Sequence, residues 1–446
     1  MIRPAAAPAA IGGLAQAQRD ADRTRQTGLP QRRRKVALVT HGFEQGGGVR
    51  TIARWLRGAL AETGGYQVDV HDLAVWSRDP SSRRLIRPAT WLRGSLREPL
   101  HASPGWHWGA NAVEVEWMRY RPRRELSRLL RRYDLVQVVC GAPAWAGVVT
   151  GLGVPVVLQV ATLASWERAA LFAQAGDVQG YWRRLMTAGV SALERRALRQ
   201  VDAVLVENAT MAALARSSGQ PRVVLAPPGI DTDRFKPAST GWRADGYLLS
   251  LCRLADPRKG LDRLLAAYAM MVRADPGTPA LMLAGKGRLP DDLMSLINSL
   301  GLVDRVLLRP DVASADLVDL YQGASVFMQA SHEEGLGLSV IEAMACGLPV
   351  VSTASAGACE SVVDGSTGWL VPLEPAGDVP AVLGARARAV LNGPGGDFGR
   401  RGRDRVVERF STRIALQGIV AVYDEILSPS GGDGAVPCPS LAGSGE

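Results

Sequence analysis

Residues 331–351 read SHEEGLGLSVIEAMACGLPVV and decide the fold of the second half of the chain. The residues just before them, 325–329, are apolar enough to form a buried strand, and the run 338–346 has the apolar spacing of a helix. Gly347 is expected to end that helix, and Pro349 to start the next strand. A strand, a glycine turn, a helix and another strand in this order predict a parallel α/β sheet.

Two carboxylates flank the glycine turn, Glu334 and Glu342, with seven residues between them. The turn follows the carboxyl end of a strand, where open α/β sheets bind their ligands. Gly337 allows a ligand to approach the backbone, and the amides that follow form a helix N-terminus suited to a diphosphate. Glutamate is also a common solvated residue of helices, so this spacing alone does not define a site.

The whole stretch resembles the donor-binding motif of retaining GT-B glycosyltransferases of family 4, the glycosyl transferases group 1. Their pattern is Glu, Gly, an aromatic residue and Gly, then a helix with Glu-Ala-Met-Ala, followed by Gly, Pro and two Val. The resemblance implies that Glu334 is a catalytic residue at the hydroxyls of the donor sugar and that Glu342 binds the ribose. It does not imply a glycosidase-type nucleophile, because no second carboxyl is indicated across the bond. Further substrate-binding positions that it implies are Gly335, Leu336 (in place of the aromatic residue), Gly337 and Leu338.

The first predicted strand, 35–40, leads into a glycine loop at the start of a helix. Its glycines, Gly46, Gly47 and Gly48, permit unusual backbone angles and close contact with a phosphate or a sugar. A flexible turn is the simpler interpretation, but the position between strand and helix favours a ligand. The loop does not fit the Gly-x-Gly-x-x-Gly pattern of dinucleotide-binding proteins.

The sequence LCRLADPRKGLDRLL, 251–265, resembles the Arg-Leu to Lys-Gly motif of the same family. Arg253 ends a strand and Lys259 precedes a helix, so both are expected to face the crevice as catalytic residues. They would neutralise the diphosphate leaving group. Arg258 is expected at the surface. Gly285 and Gly287 end another strand, and either contact the nucleoside through the backbone or form a simple turn.

One position departs from the family pattern. The strand in VPVVLQVATL usually ends in an acceptor-side His in the family, and here that residue is Ala161. His41 is either a substitute or a structural histidine. The leading prediction is a retaining hexosyltransferase that moves a sugar from a nucleotide-diphosphate sugar to a hydroxyl acceptor, in polysaccharide, glycolipid or glycoconjugate synthesis. The alternatives are a non-catalytic nucleotide-sugar-binding homologue and a GT-B sugar-nucleotide epimerase.

Alternating strands and helices on both sides of a polar linker predict an α/β protein of GT-B architecture, with two facing doubly wound, Rossmann-like domains. The predicted boundaries are a disordered basic segment at 1–34, an N-terminal acceptor-side domain at 35–233, a linker at 234–244, a C-terminal nucleotide-sugar-binding domain at 245–410, a crossing helix at 411–427 and a flexible tail at 428–446.

The composition limits location and cofactors. The 446 residues carry a net charge of +9, which favours anionic partners. Five cysteines without paired or metal-type spacing predict a reducing, cytoplasmic location, and no apolar run reaches the ~18 residues of a membrane span. No Asp-x-Asp pair or His/Cys cluster ends a strand, so we expect no metal and no cofactor besides the nucleotide-sugar co-substrate. The basic residues lack the aromatic pattern of a nucleic-acid module.

Charge is concentrated in residues 78–132, which hold 13 Arg against 5 acidic residues. Trp91, Trp106, Trp108 and Trp117 lie among these arginines, and tryptophan prefers the boundary between membrane and water. The segment therefore predicts a cationic acceptor-side surface that contacts anionic membrane or a lipid-linked acceptor at the inner face. The alternatives are a loop that only solubilises the domain, or one that binds a soluble anionic acceptor.

Overall fold

The computed structural model describes residues 32–44, 47–101, 103–173 and 178–428. The tail from residue 429, most of the basic N-terminal segment and Gly46 lie outside the described residues. Within the described part, no helix is both long enough and apolar enough to cross a membrane.

The first sheet has eight strands in the order β3-β4-β2-β1-β5-β6-β7-β8. They are β1 Arg34–His41, β2 Tyr66–Leu73, β3 Arg97–Pro99, β4 Gly105–Trp108, β5 Leu135–Cys140, β6 Val156–Val160, β7 Ala203–Val206 and β8 Val223–Leu225. All neighbours are parallel except β3, which runs antiparallel to β4. Helices cover both faces, which is why the central strands are continuous apolar runs.

The helices of this half alternate with the strands. They are α1 Gly48–Glu62, α2 Glu116–Arg119, α3 Arg124–Leu130, α4 Ala164–Ala173, α5 Val178–Gln200 and α6 Ala209–Ser217. Asn208 is the N-cap of α6, and its side chain accepts a hydrogen bond from the Met211 N–H at 2.8 Å. This cap is the local reason that α6 begins directly after β7.

The second sheet has six parallel strands in the order β11-β10-β9-β12-β13-β14. They are β9 Tyr247–Arg253, β10 Leu281–Lys286, β11 Val306–Pro310, β12 Ala324–Gln329, β13 Val350–Thr353 and β14 Gly368–Val371. The helices are α7 Leu261–Ala274, α8 Asp291–Ser299, α9 Leu317–Gln322, α10 Leu338–Ala345, α11 Ala356–Ser361, α12 Val379–Leu391 and α13 Gly395–Arg409. Two doubly wound α/β units confirm the predicted fold class.

The last helix, α14 (Thr412–Leu427), packs against the first sheet instead of the second. Ile419 and Tyr423 are buried in that core, and the Tyr423 hydroxyl donates to Gln137 Oε1 at 2.7 Å. Ser411 is the N-cap of this helix, but its side chain makes no capping hydrogen bond with the described residues. Burial of the apolar face therefore holds this helix in place.

The chain passes between the two sheets twice, and the two passages lie side by side. The Ile230 N–H donates to the Phe410 carbonyl at 2.7 Å, and the Thr412 N–H donates to the Ile230 carbonyl at 3.0 Å. These bonds join the outgoing and returning segments next to the cleft between the domains.

The segment between β2 and α3 contains β3, β4 and a buried charged cluster. His107 hydrogen-bonds Asp72 and Asp79, each at 2.7 Å, through its two ring nitrogens. Burial opposes protonation, but the two carboxylates outweigh it and raise the pKa of His107 to about 9. Trp108 is buried in the core, so the prediction that it lies at a membrane boundary is wrong. Trp106 is partly buried, with the Arg97 guanidinium over its ring.

Candidate active site

The predicted site residues of the second domain lie around the point where the strand order of its sheet reverses, between β9 and β12. In open α/β sheets, this switch point at the carboxyl ends of the strands is where ligands bind. Arg253 is the last residue of β9, and the glycine turn follows β12. The turn faces the first domain, because Asn208 Nδ2 donates to the Gly335 carbonyl at 2.6 Å. The site is therefore a cleft between the carboxyl edges of the two sheets.

Close packing fixes the path of the glycine turn. A Cβ on Gly335 would lie 2.9 Å from the Cβ of Ala161 in the first domain, so only glycine fits there. Gly337 has φ +76° and caps α10. The Leu336 side chain is buried in the core, so only its backbone faces the cleft. Leu338 packs against apolar clusters of both domains.

Glu334 is held at the centre of this arrangement. Its Oε1 accepts hydrogen bonds from Lys259 Nζ at 2.5 Å, from Ser331 Oγ at 2.9 Å and from Gln329 Nε2 at 3.2 Å. The structure thus brings together Lys259 and Glu334, which are 75 positions apart. All of the hydrogen bonds from described residues go to Oε1, which leaves Oε2 as the oxygen available to a sugar hydroxyl.

Arg253 lies at the rim of the cleft with a side chain that is 53% exposed, and it pairs with Asp256 at 2.7 Å. Arg258 was expected at the surface, and this prediction is wrong: its side chain is only 16% exposed. The guanidinium lies 2.9 Å from Asp256, 3.3 Å from Glu333 and 3.6 Å from Glu167. Glu167 belongs to the first domain, so Arg258 links the two walls of the cleft.

Glu342 has a different environment from Glu334. Its Oε2 accepts a hydrogen bond from the Tyr321 hydroxyl at 2.8 Å. Burial raises the pKa of Glu342 to about 7, and the hydrogen bond from Tyr321 offsets only part of that effect. The two carboxylates of the motif are therefore set apart by their partners, since a lysine neutralises only Glu334.

The predicted glycines fall into two groups. Gly47 has φ +105° at the start of α1, and the space beside Gly47 and Gly48 is open, as a ligand-binding loop requires. Glycine is required at position 285 by packing alone, because a Cβ there would lie 1.8 Å from the Cys252 carbonyl oxygen on the neighbouring strand. The Gly287 N–H donates to Asp311 Oδ1 at 2.9 Å, and the space beside Gly287 is open.

His41 is held as a neutral residue of the first domain. Its ring stacks on Trp145 with the centroids 4.6 Å apart, and its Nε2 accepts the Gly141 N–H at 3.4 Å. Burial lowers the pKa of His41 to about 4. These contacts favour the structural interpretation of this histidine over the substitute role.

Sequence reasoning missed three polar residues of the cleft. Glu333 accepts a hydrogen bond from Thr162 Oγ1 at 2.9 Å across the domain boundary. Glu207, directly after β7, is only 3% exposed; its burial and the nearby charge of Glu333 raise its pKa to about 8. Glu207 was predictable from the sequence, because it directly follows the apolar run of β7 at the carboxyl edge of the sheet. The partners of Glu333 and Thr162 depend on how the domains meet.

Within the described ranges, no group of three or more His, Cys, Asp or Glu side chains could hold a metal ion. A separate groove of about 510 Å³ lies on the flank of the first domain, between α5 and residues 117–150. None of the cleft residues lines it.

The two facing sheets, with the lysine–carboxylate pair at the switch point, define the GT-B class of glycosyltransferase. Residues 233–379 match the family described as glycosyl transferases group 1, and residues 46–234 match glycosyltransferase family 4. The chain belongs to this family of enzymes, which confirms the resemblance on which the site was predicted.

Sequence relatives include D-inositol 3-phosphate glycosyltransferases. The protein of that name from Acidothermus cellulolyticus is 28% identical over 90% of this chain and 92% of its own length. The one from Saccharomonospora viridis is 31% identical over 62% of this chain and 66% of its own length.

Solved structures support the fold. Sucrose-phosphate synthase from Thermosynechococcus elongatus aligns with a TM-score of 0.65 at 23% identity, over 88% of this chain and 99% of its own. Anabaena HepE in complex with UDP-glucose aligns with a TM-score of 0.63 at 16% identity, over 88% and 99%.

Proposed function

We propose that this glycosyltransferase moves a sugar, with retention of anomeric configuration and without a metal, from a nucleoside diphosphate sugar to a hydroxyl acceptor. The observation that carries the proposal is the Lys259–Glu334 pair at the switch point of the second sheet. It combines an anchored carboxylate for sugar hydroxyls with a cation for phosphate at one place in the cleft.

In the proposed reaction, Glu334 orients the donor sugar through its Oε2. Lys259 Nζ donates one of its three N–H groups to Glu334, which leaves two for hydrogen bonds to the diphosphate. Arg253, at the rim, offers a fork of donors to the same phosphates. Charge on the departing diphosphate grows in the transition state, so these preorganised cations would accelerate its departure.

Retention is proposed to occur by attack of the acceptor hydroxyl on the face from which the diphosphate leaves, with a phosphate oxygen taking the proton. A double displacement would require a carboxylate on the opposite face of the sugar. Glu333, the neighbouring carboxylate, hydrogen-bonds Thr162 and Arg258 and so serves the domain contact.

On the nucleotide side, Glu342 is proposed to bind the ribose hydroxyls, and the backbone at Gly285 and Gly287 to lie along the nucleoside. Gly47 and Gly48 would contact the phosphate or the acceptor from the first domain. Because HepE was solved with UDP-glucose, UDP-sugars are the first donors to test.

For the acceptor side, we place the enzyme in the cytoplasm, in peripheral contact with anionic membrane through the basic surface at 78–132. Inositol 3-phosphate, which the names of the sequence relatives mention, is the first soluble acceptor to test.

A two-stage experiment tests the proposal. Nucleotide sugars are first compared by thermal stabilisation, which for the cognate donor reaches about 2.7 kcal/mol at a hundredfold excess over the dissociation constant. The best donor is then incubated with acceptors, and the anomeric configuration of the product is read by NMR. Glu334→Gln is the active-site variant, and Glu408→Gln on the exposed face of α13 is its control.

The other possible outcomes would each support a different function. Donor binding without transfer, to soluble or to membrane acceptors, would indicate a binding homologue. A changed nucleotide sugar without acceptor would indicate an epimerase. An inverted product would contradict the proposed retention.

A further inference from the structure

Large apolar side chains are exposed in the loop that follows β2. We call residues 76–93 the apolar loop. Ile86 is 71% exposed and Leu92 is 90% exposed, with Leu85, Trp91 and Trp76 also at the surface. Scattered single apolar residues are normal on protein surfaces, but such a grouping within one short loop marks an interaction site.

The apolar loop is a defined structure tied to the domain. Glu114 accepts hydrogen bonds from Arg84 Nε and from the Leu85 N–H, both at 3.1 Å. Trp91 Nε1 donates to the Arg84 carbonyl at 2.9 Å, and Thr90 Oγ1 accepts the Arg84 N–H at 2.8 Å. The exposed side chains are thus presented from a braced backbone, so little conformational entropy is lost when they bind.

Positive charge surrounds these apolar side chains. Arg87 and Arg93 are exposed beside Ile86 and Leu92, and neither forms an ion pair with any described residue. The only acidic residue inside the loop, Asp79, is buried against His107. An apolar tip between unpaired arginines is complementary to an anionic bilayer, whose headgroups attract the guanidinium groups while its acyl region accepts the tip.

The apolar loop also lies on the side of the domain where the cleft opens. Leu73, at the carboxyl end of β2, pairs with Trp108 at the carboxyl end of β4. Arg97, the first residue of the antiparallel strand β3, pairs with Trp108 from the other side. The loop therefore begins and ends at the carboxyl edge of the first sheet. The cleft residues Ala161 and Asn208 follow β6 and β7 at this same edge.

We infer that the apolar loop inserts Ile86 and Leu92 into an anionic bilayer and so presents the cleft to an acceptor at the membrane surface. The presence of an acceptor at the membrane rests on the proposed function, whereas the insertion of the loop does not. Insertion makes the peripheral contact specific, because a few inserted side chains and the two arginines beside them carry it within the wider basic surface of residues 78–132.

Sedimentation with vesicles tests the inference, using the full chain and vesicles of phosphatidylcholine with or without one third phosphatidylglycerol. We expect binding to the anionic vesicles, and a fall of about 15- to 60-fold for each of Ile86→Ser and Leu92→Ser, since each loses two or three inserted methylene equivalents. Arg87→Gln and Arg93→Gln should each cost about fivefold at low salt. Val303→Ser, at a 59% exposed apolar residue of the second domain, is the control and should bind as the unaltered chain does.

The outcomes separate insertion from the other possibilities. Binding that follows the arginine changes but is unaffected by Ile86→Ser and Leu92→Ser would overturn insertion. Loss of a dimer in sedimentation velocity, with vesicle binding unchanged, would assign the loop to contact with a second copy and also overturn it. Nucleotide-sugar binding without vesicles should stay unchanged in every loop variant, so that a failure of the proposed function appears separately.

Discussion

At the scale of single residues, the cleft separates two carboxylates by giving them different partners. Glu334 is neutralised by Lys259, whereas Glu342 is buried beside a tyrosine hydroxyl. The first arrangement suits a group that orients a sugar through its remaining oxygen, and the second suits a group that exchanges one hydroxyl partner for another.

Glu342→Gln is expected to weaken nucleotide-sugar binding and turnover while leaving the fold intact. A carboxylate can accept hydrogen bonds from both ribose hydroxyls, whereas an amide presents a donor to one of them. Calorimetry with the cognate nucleotide is the measurement, and Glu408→Gln is the matched control. Unchanged affinity would remove Glu342 from the binding site.

Arg253→Ala and Lys259→Ala are each expected to lower turnover by on the order of 100-fold, the usual loss when one preorganised donor to a developing anion is removed. Lys259→Ala also removes the cation that pairs with Glu334, so the apparent affinity of this variant for the donor sugar should fall as well. Steady-state kinetics and melting temperatures should be compared with those of Arg273→Ala, an exposed residue of α7. Full activity of both variants would refute the phosphate assignment.

Glu207→Gln is expected to raise the melting temperature above pH 8 and to leave it unchanged near pH 4. The pKa of Glu207 rises from an ordinary 4.5 to about 8 on folding, so its contribution to stability is complete below pH 4.5 and is lost as the pH rises through 8. Glutamine cannot ionise, so it avoids this loss. Melting curves from pH 4 to 9 are the measurement, and a gap between the two proteins that does not vary with pH would contradict the assignment.

Arg258 illustrates which part of the site could not be predicted from sequence. Arg253, Lys259 and the Glu334 motif stand at strand ends and helix starts, which local apolar patterns locate. Arg258 lies on the same short segment but is buried by carboxylates at 167 and 333, and no local pattern indicates that these positions meet. Contacts made by the docking of one domain on another are set by the tertiary structure alone.

At the scale of secondary-structure elements, buried parallel strands were predictable and the irregular segment was not. The predicted strand at 325–329 is confirmed as β12, Ala324–Gln329, because a strand covered on both faces is a largely continuous apolar run. The short strands β3 and β4 lack such a run. They are placed by the buried bonds of His107 to Asp72 and Asp79, which join residues up to 35 positions apart.

Gly285→Ala tests the close approach of two elements, β9 and β10. The added Cβ would lie 1.8 Å from the Cys252 carbonyl oxygen, and φ at this position is +133°, so the strands must separate. We expect a loss of stability of at least about 2 kcal/mol, as for other strained backbone sites. Gly58→Ala in α1, where the space beside the glycine is open, should stabilise by up to about 1 kcal/mol. Chemical denaturation measures both, and equal effects would show that strand spacing is not the cause.

At the scale of the whole molecule, independence from metals remains a prediction. The cations proposed to face the diphosphate are Arg253 and Lys259, both supplied by the chain itself. Turnover should therefore be the same in EDTA, in magnesium and in manganese. Activity that a chelator abolishes and a divalent ion restores would contradict the prediction.

The paired passages at Ile230 and Phe410 have a consequence for motion. Both covalent links between the domains lie side by side and are hydrogen-bonded to each other, so they form one paired hinge. We expect the domains to open and close mainly by rotation about this hinge, which restricts twisting and sliding. Rotation about a fixed axis would bring Gly335 back to the same contact with Ala161 each time the cleft closes.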